Sequence, residues 1–361
     1  MRRRFFNLVL ILTFSSFTNI FAQSADTTAV VKAIPKNKFN VYPVFYFAPE
    51  TSLGLGATTF KLFHIGDESR TSNVSATGIF TLKKQLLFES STTMFTHQER
   101  WLIKGRVSAR HFPENFYGVG EKTSEGDKMT TTYSYYNLNG TLYHKLFKHA
   151  FLGVQGMYND YFNVSFSSNA PSELVGSDGA KNVGMGASFL FDSRDNVLNA
   201  RKGFYTEISG LAFSNKWGSR YSYNAYVGDV RKYFALNEKS VIAFQVLGLL
   251  KVGTVPFLQL SYLGGSDMMR GFYSGRYRDK DLVATQVEYR RQFTDDWGGV
   301  VFLGLGNVAN DLKTFDFRNL KNSIGVGGRY TLDKKDRMNL RMDLGLGNGH
   351  PNFYIAVAEA F

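Results

Sequence analysis

In Met338 to Gly347, MNLRMDLGLG, the apolar residues Met338, Leu340, Met342, Leu344 and Leu346 alternate with Asn339, Arg341, Asp343, Gly345 and Gly347. One face is wholly apolar and the other polar or small, and a period of two predicts a strand rather than a helix. SIGVGGRYTL, residues 323–332, repeats the pattern, with Ile324, Val326, Tyr330 and Leu332 opposite Ser323, Gly325, Gly327, Arg329 and Thr331. Carried along the chain, the alternation predicts strands at 39–49, 51–64, 72–85, 87–99, 101–112, 130–147, 150–166, 181–193, 202–214, 219–235, 239–254, 281–293, 297–309, 320–332, 336–347 and 352–361. These are about sixteen, an even number, each long enough to cross a bilayer when tilted. Short connections, such as Asn237-Glu238 and 333–336, alternate with longer ones, such as 113–129 and 167–180, and the longest loop is 255–280. Short turns on the periplasmic side and long loops outside are the usual asymmetry of an outer-membrane barrel.

Composition separates this reading from a soluble sandwich, which also alternates but turns its polar face to water and uses more proline in its turns. The chain has 33 Phe, 20 Tyr and 35 Gly but only 7 Pro, and after the N-terminus no run of about 18 apolar residues predicts a spanning helix. The N-terminus, MRRRFFNLVLILTFSSFTNIFAQSADTT, has three arginines, an apolar run and a small-residue exit near Ala22 and Gln23, the layout of a secretory signal peptide over 1–22. A spanning helix would need a longer run than one diluted by Ser15, Ser16, Thr18 and Asn19. Residues 23–38, with Pro35 and a KNK run, read as a short periplasmic lead, and 39–361 as one outer-membrane barrel.

Formal charge is 42 − 30 = +12, or +9 once Arg2, Arg3 and Arg4 leave with the signal. Basic residues are scattered singly between aromatics, which argues against nucleic acid as a partner. With no cysteine, the chain has neither disulfides nor thiol chemistry. Six dispersed histidines lack metal-ligand spacing, there is no G-x-S-x-G elbow, and LGLGA (53–57) and LGLGN (344–348) lie in strands rather than at a strand-to-helix turn. No catalytic residue, metal or cofactor is therefore expected, and the protein does not read as an enzyme. The last segment, PNFYIAVAEAF, sets Phe353, Ile355 and Val357 against Tyr354, Ala356, Ala358 and Ala360, with Glu359 interrupting the apolar face near the strand end. Phe353, Tyr354 and Phe361 read as the terminal aromatic signal of a barrel strand.

FDSRDNVLNARKGFYTEI, residues 191–208, resembles the D-x-R-D-N motif of the bacterial surface antigen family, the BamA/TamA outer-membrane assembly superfamily. GGSDMMRGF resembles its RGF/Y loop motif (Gly264, Gly265, Met269, Arg270, Gly271 and Phe272), and DLVATQVEYRR its following Glu-x-Arg strand. The likeness covers roughly 180–361 with specificity and the N-terminal half more weakly, through PVFYFAPETSLGLGATTF.

The resemblance implies that loop 255–280 folds into the lumen and that Arg270 pairs with Glu288. Alternation places Glu288 inward independently, since Ala284, Gln286, Glu288, Arg290 and Gln292 share a face opposite Val283, Val287 and Tyr289. The family's F-x-D-x-G strand would supply a second acid, but Phe302 to Gly306 puts Gly304 at that position, leaving Asp343 or another luminal acid as the alternative. Asp192, Arg194, Asp195 and Gly203 read as a turn network between two strands rather than a catalytic set.

By resemblance the protein assists insertion or translocation of proteins, or lipids, at the outer membrane through a lateral seam between first and last strands. Its implied partners are outer-membrane lipids and a POTRA-bearing assembly protein or client barrels. A lead of about sixteen residues is too short for a POTRA repeat of its own. The alternative reading is a passive channel or a structural subunit of an envelope complex.

Overall fold

The structure, a computed structural model, describes residues 40–63, 65, 69, 72–168, 173–334 and 337–361. The expected signal peptide and lead therefore lie outside the described residues.

Sixteen strands close into an antiparallel barrel in chain order. They are β1 (Asn40–Ala48), β2 (Ser52–Phe63), β3 (Ser72–Thr81), β4 (Leu86–Phe95), β5 (Trp101–Phe116), β6 (Met129–Phe147), β7 (Ala150–Phe166) and β8 (Ala180–Asp192). After these come β9 (Gly203–Phe213), β10 (Tyr223–Asn237), β11 (Ser240–Gly253), β14 (Asp281–Gln292), β15 (Trp297–Ala309), β16 (Lys321–Asp333), β17 (Met338–Gly347) and β18 (His350–Val357). Two further short strands, β12 (Ser261–Leu263) and β13 (Tyr277–Asp279), form a separate hairpin inside the segment joining β11 to β14.

Period-two alternation becomes an inside and an outside. On β17, Leu344 and Leu346 are exposed on the outer surface, whereas Arg341, Asp343, Gly345 and Gly347 are buried. Every backbone group in the hydrocarbon must be paired, which a closed barrel achieves without edges. The exposed Ile324, Val326, Val154 and Leu138 continue the apolar outer band, which in a soluble protein would be an aggregation surface and here matches lipid.

The two rims differ. One carries the connections 117–128, 167–179, 214–222, 254–280 and 310–320; the opposite rim has turns as short as 148–149 and 238–239. β5 continues to Phe116, beyond the 112 expected from alternation, because it stays paired with β6 through Phe116↔Met129.

The C-terminus departs from expectation more sharply. Alternation carries the last strand to Phe361 with Glu359 on the lipid face, yet β18 ends at Val357 and Ala358 takes a left-handed φ of 65°. The chain turns inward, and the Glu359 amide donates to the Leu198 carbonyl at 3.1 Å. Glu359 then meets Arg329 at 2.7 Å. A carboxylate facing lipid unpaired costs up to about 3 kcal/mol, so the turn onto Arg329 is the cheaper path. Phe361 is buried with Ala200, Tyr233 and Ala243 rather than facing lipid.

Candidate functional site

The segment 254–280 packs against the inward faces of β14, β15, β17 and β18. Its hairpin pairs Ser261↔Asp279, Tyr262↔Arg278 and Leu263↔Tyr277, presenting residues 264–276 as a tip. Gly264, Gly265 and Gly271 have φ of 105°, 131° and 116°, and Met269 also sits at positive φ, 56°. Gly271 is needed for a second reason, because a Cβ there would stand 2.5 Å from the Leu346 carbonyl carbon. The approach is reciprocal: a Cβ on Gly345 would lie 2.6 Å from the Arg270 carbonyl carbon. The alternating Asp343, Gly345, Gly347 of β17 therefore presents one carboxylate and then two bare positions over which the loop backbone passes.

Arg270 is fully buried, at 0% exposure. One end of its guanidinium pairs with Glu288 of β14, and the other donates to Asp343 Oδ2 of β17 at 2.7 Å. The guanidinium carbon stands 3.6 Å from the centroid of the Phe302 ring of β15. Glu288 also receives Arg290 at 2.7 Å, Asp343 receives Arg329 at 2.6 Å, and Arg341 pairs with Asp267 of the loop itself. Arg270, Arg290, Arg329 and Arg341 thus face Asp267, Glu288, Asp343 and Glu359, four cations against four carboxylates. Such a balanced network is weak evidence for stability but ties the loop to one pose, since removing a single member leaves the buried charges out of balance by one.

Neighbouring contacts complete the clamp. The Tyr354 hydroxyl of β18 accepts from the Gly271 amide and donates to the Phe272 carbonyl, both at 3.0 Å. Asn352 donates to the Gly271 carbonyl. Met268, Met269 and Phe272 pack with Leu247, Leu249 and Val308. Gly304, where a second acid was anticipated, faces Met269, whose sulfur lies 3.0 Å from a Cβ built there. The thioether fills that space, and the second carboxylate comes instead from Asp343, two strands further round the barrel.

The Omp85 superfamily domain matches residues 71–347. The chain belongs to the Omp85 superfamily. Solved structures agree on the fold. BamA from Haemophilus ducreyi lacking POTRA domains 1–3 superposes with a TM-score of 0.61 at 14% identity, covering 89% of this chain and 70% of that one. CdiB from Acinetobacter baumannii gives 0.58 at 10% identity over 90% of this chain, and CdiB from Escherichia coli 0.57 at 9% over 91%. The chain spans 60% and 64% of those two CdiB chains, less than two thirds of their length. No curated protein matches by sequence. Omp85 barrels are outer-membrane proteins, which places this one there.

The second motif of this Omp85 barrel lies on the short-turn rim. Asp192 binds Arg194 through two side-chain contacts of 2.8 and 2.9 Å, and the Arg194 guanidinium stands 4.5 Å from the Tyr205 ring centroid. Asp195 accepts from the Arg201 and Lys202 amides at 2.9 and 3.1 Å and from Arg337 at 2.9 Å. Burial opposes the charge on Asp195, but these donors outweigh it and hold its carboxyl below the usual range. Gly203, at φ 112°, has no room for a side chain, since a Cβ would lie 2.4 Å from the Ser193 carbonyl oxygen. The turn then packs Ala200 against Phe361.

The structure therefore brings the loop motif and Glu288 together and leaves the turn network as a separate rim element. Of the terminal aromatics, Phe353 lies on the outer surface, 6.1 Å from the Phe47 ring across the β1–β18 junction, while Tyr354 and Phe361 are internal. Sequence reasoning missed Tyr354 and Asn352 as loop contacts and Arg329, Arg341, Asp267 and Glu359 as network members. The available signal was the inward face shared by Arg341, Asp343, Gly345 and Gly347.

Proposed function

We propose that this barrel assists the insertion or translocation of proteins, or lipids, at the outer membrane by opening laterally between β1 and β18. The observation carrying the reading is the closure itself. Among the described residues a single register pair, Phe47↔Ile355, joins β1 to β18, against nine pairs between β1 and β2 and eight between β17 and β18. Each backbone hydrogen bond contributes a net ~0.5–1.5 kcal/mol, so a junction with one ladder pair opens at far lower cost than its neighbours. An opened junction exposes two strand edges, a template on which an incoming strand can pair. On this reading the loop clamp holds β14, β17 and β18 as one rigid wall, so movement falls on the β1 side.

The test is a disulfide between Phe47→Cys and Ile355→Cys, whose antiparallel register brings the Cα atoms within bridging range. The protein is reconstituted in vesicles, and folding of an unfolded client barrel added from urea is followed by its resistance to unfolding in detergent at room temperature. Oxidation should abolish the acceleration of client folding and reduction restore it. Full acceleration by the oxidised, verified crosslink rules out lateral opening. A passive channel predicts a large steady single-channel conductance unchanged by Arg270→Ala; the loop packed along the inner wall supports the opposite expectation, low conductance that rises in that variant.

A further inference from the structure

The clamp lies against β14 to β18; the wall facing it is different in kind. On β5 the inward positions are Lys104, Arg106, Ser108 and Arg110, and with Lys251 of β11 they line a chamber with about 70 Å³ of space open to the centres of water molecules. Gln259, from the loop, lies over it on the long-loop side and donates to the Tyr161 hydroxyl at 2.6 Å, alongside Phe213 and Tyr223. On the short-turn side Tyr143 belongs to an apolar layer with Phe95, Leu102, Phe151, Leu190 and Tyr205. The chamber is thus bracketed by two aromatic layers inside the barrel.

Its charges do not balance. Arg106 and Arg110 share Glu89, at 3.6 and 3.2 Å, and Glu207 accepts from the Tyr205 hydroxyl. Lys104, Arg106, Arg110 and Lys251 against Glu89, Glu207 and Asp281, which accepts from the Lys251 amide at 2.9 Å, leave 4 − 3 = +1. Among the described residues no ion pair includes Lys104 or Lys251. The Lys251 ammonium, only 7% exposed, donates to the Gln259 carbonyl, and the Lys104 ammonium lies 5.8 Å from the Tyr143 ring centroid. On the lining, the buried donors Asn159 Nδ2 and the Tyr223 hydroxyl and the buried acceptor Gln155 Oε1 also lack a protein partner. A buried ammonium without a direct ion pair costs several kcal/mol, and buried polar groups are normally satisfied, so both departures at one place call for a common explanation.

We propose that this chamber is a binding site for a small free oxyanion, of the phosphate, sulfate or short carboxylate class, with Lys104 and Lys251 as its counter-charges. Ammonium groups and neutral donors around one space match the acceptor-only chemistry of an oxyanion. Size narrows the class: at roughly 10–15 Å³ per water-sized centre, the space admits about five to seven non-hydrogen atoms, a tetrahedral oxyanion or short carboxylate rather than a lipid headgroup with its glycerol or a sugar chain.

Calorimetric titration of the folded full chain with sodium sulfate, in a sodium chloride background of constant ionic strength, tests the proposal. One saturable sulfate site is expected, weakened at least tenfold in the variant carrying Lys104→Met and Lys251→Met. No saturable binding to the parent protein, or an affinity unchanged in the double variant, overturns it. Should the double variant fail to fold, crystals of the unaltered protein soaked in selenate locate the anion directly: an anomalous selenium peak inside the chamber is expected, and peaks only elsewhere, or none, refute the assignment.

Discussion

Replacing Arg270 by alanine is the most direct perturbation of the loop clamp. The side chain is wholly buried, joins Glu288 to Asp343 and stacks on Phe302. Breaking a buried pair by removing one partner, its packing contacts included, costs about 3–5 kcal/mol. The lower part of that range applies, because Glu288 keeps Arg290 and Asp343 keeps Arg329, so neither carboxylate is stranded. At about 1.4 kcal/mol per factor of ten, a loss of roughly 3–4 kcal/mol lowers the docking constant of the loop tip by about 10² to 10³. The loss falls on the loop and not on the strands, whose ladders do not involve Arg270. Hydrogen–deuterium exchange of the detergent-folded protein separates the two: protection within 264–276 should fall at least a hundredfold, while protection in β6 to β8 stays within a factor of about three. Unchanged protection of 264–276 in a correctly folded variant refutes the view that Arg270 sets the loop pose. Arg270→Lys should fall between, since one ammonium cannot serve two carboxylates as a planar fork does.

Gly304→Asp, which restores the anticipated second acid, should loosen the loop rather than tighten it, because the new side chain meets the Met269 sulfur; a higher thermal midpoint than the parent would contradict this. Gly345→Ala places a Cβ against the Arg270 main chain and should destabilise the docked loop by about 1–3 kcal/mol or more, read from the same exchange experiment. Tyr354→Phe strips the hydroxyl serving Gly271 and Phe272 and should cost about 1–3 kcal/mol of loop docking, with no change in β5 or β6 as the internal control. Asp195, whose carboxyl is held below its ordinary value, contributes stability present above about pH 4 and lost as pH falls through the lowered folded value. Asp195→Ala should therefore flatten the acid limb of stability measured by thermal unfolding between pH 3 and 6, and an acid limb as steep as the parent's would count against the turn network.

The barrel was legible in the chain because its cause is local. A strand with lipid on one side and a polar lumen on the other must alternate, and all sixteen alternating segments became barrel strands. The inward placement of Glu288 was legible too, because it follows from the alternation of DLVATQVEYRR, whereas its pairing with Arg270 came from the loop motif's resemblance to the family. Tertiary structure decided what lies far apart in sequence. Asp343, 73 residues beyond Arg270, and Tyr354, 83 beyond Gly271, reach the loop only because barrel closure brings β17 and β18 beside it. The same holds for Glu359: alternation puts it on the lipid face, whereas the folded chain offers Arg329 and Arg290 inside, and the attraction of a carboxylate for two buried guanidinium groups turns the last four residues inward.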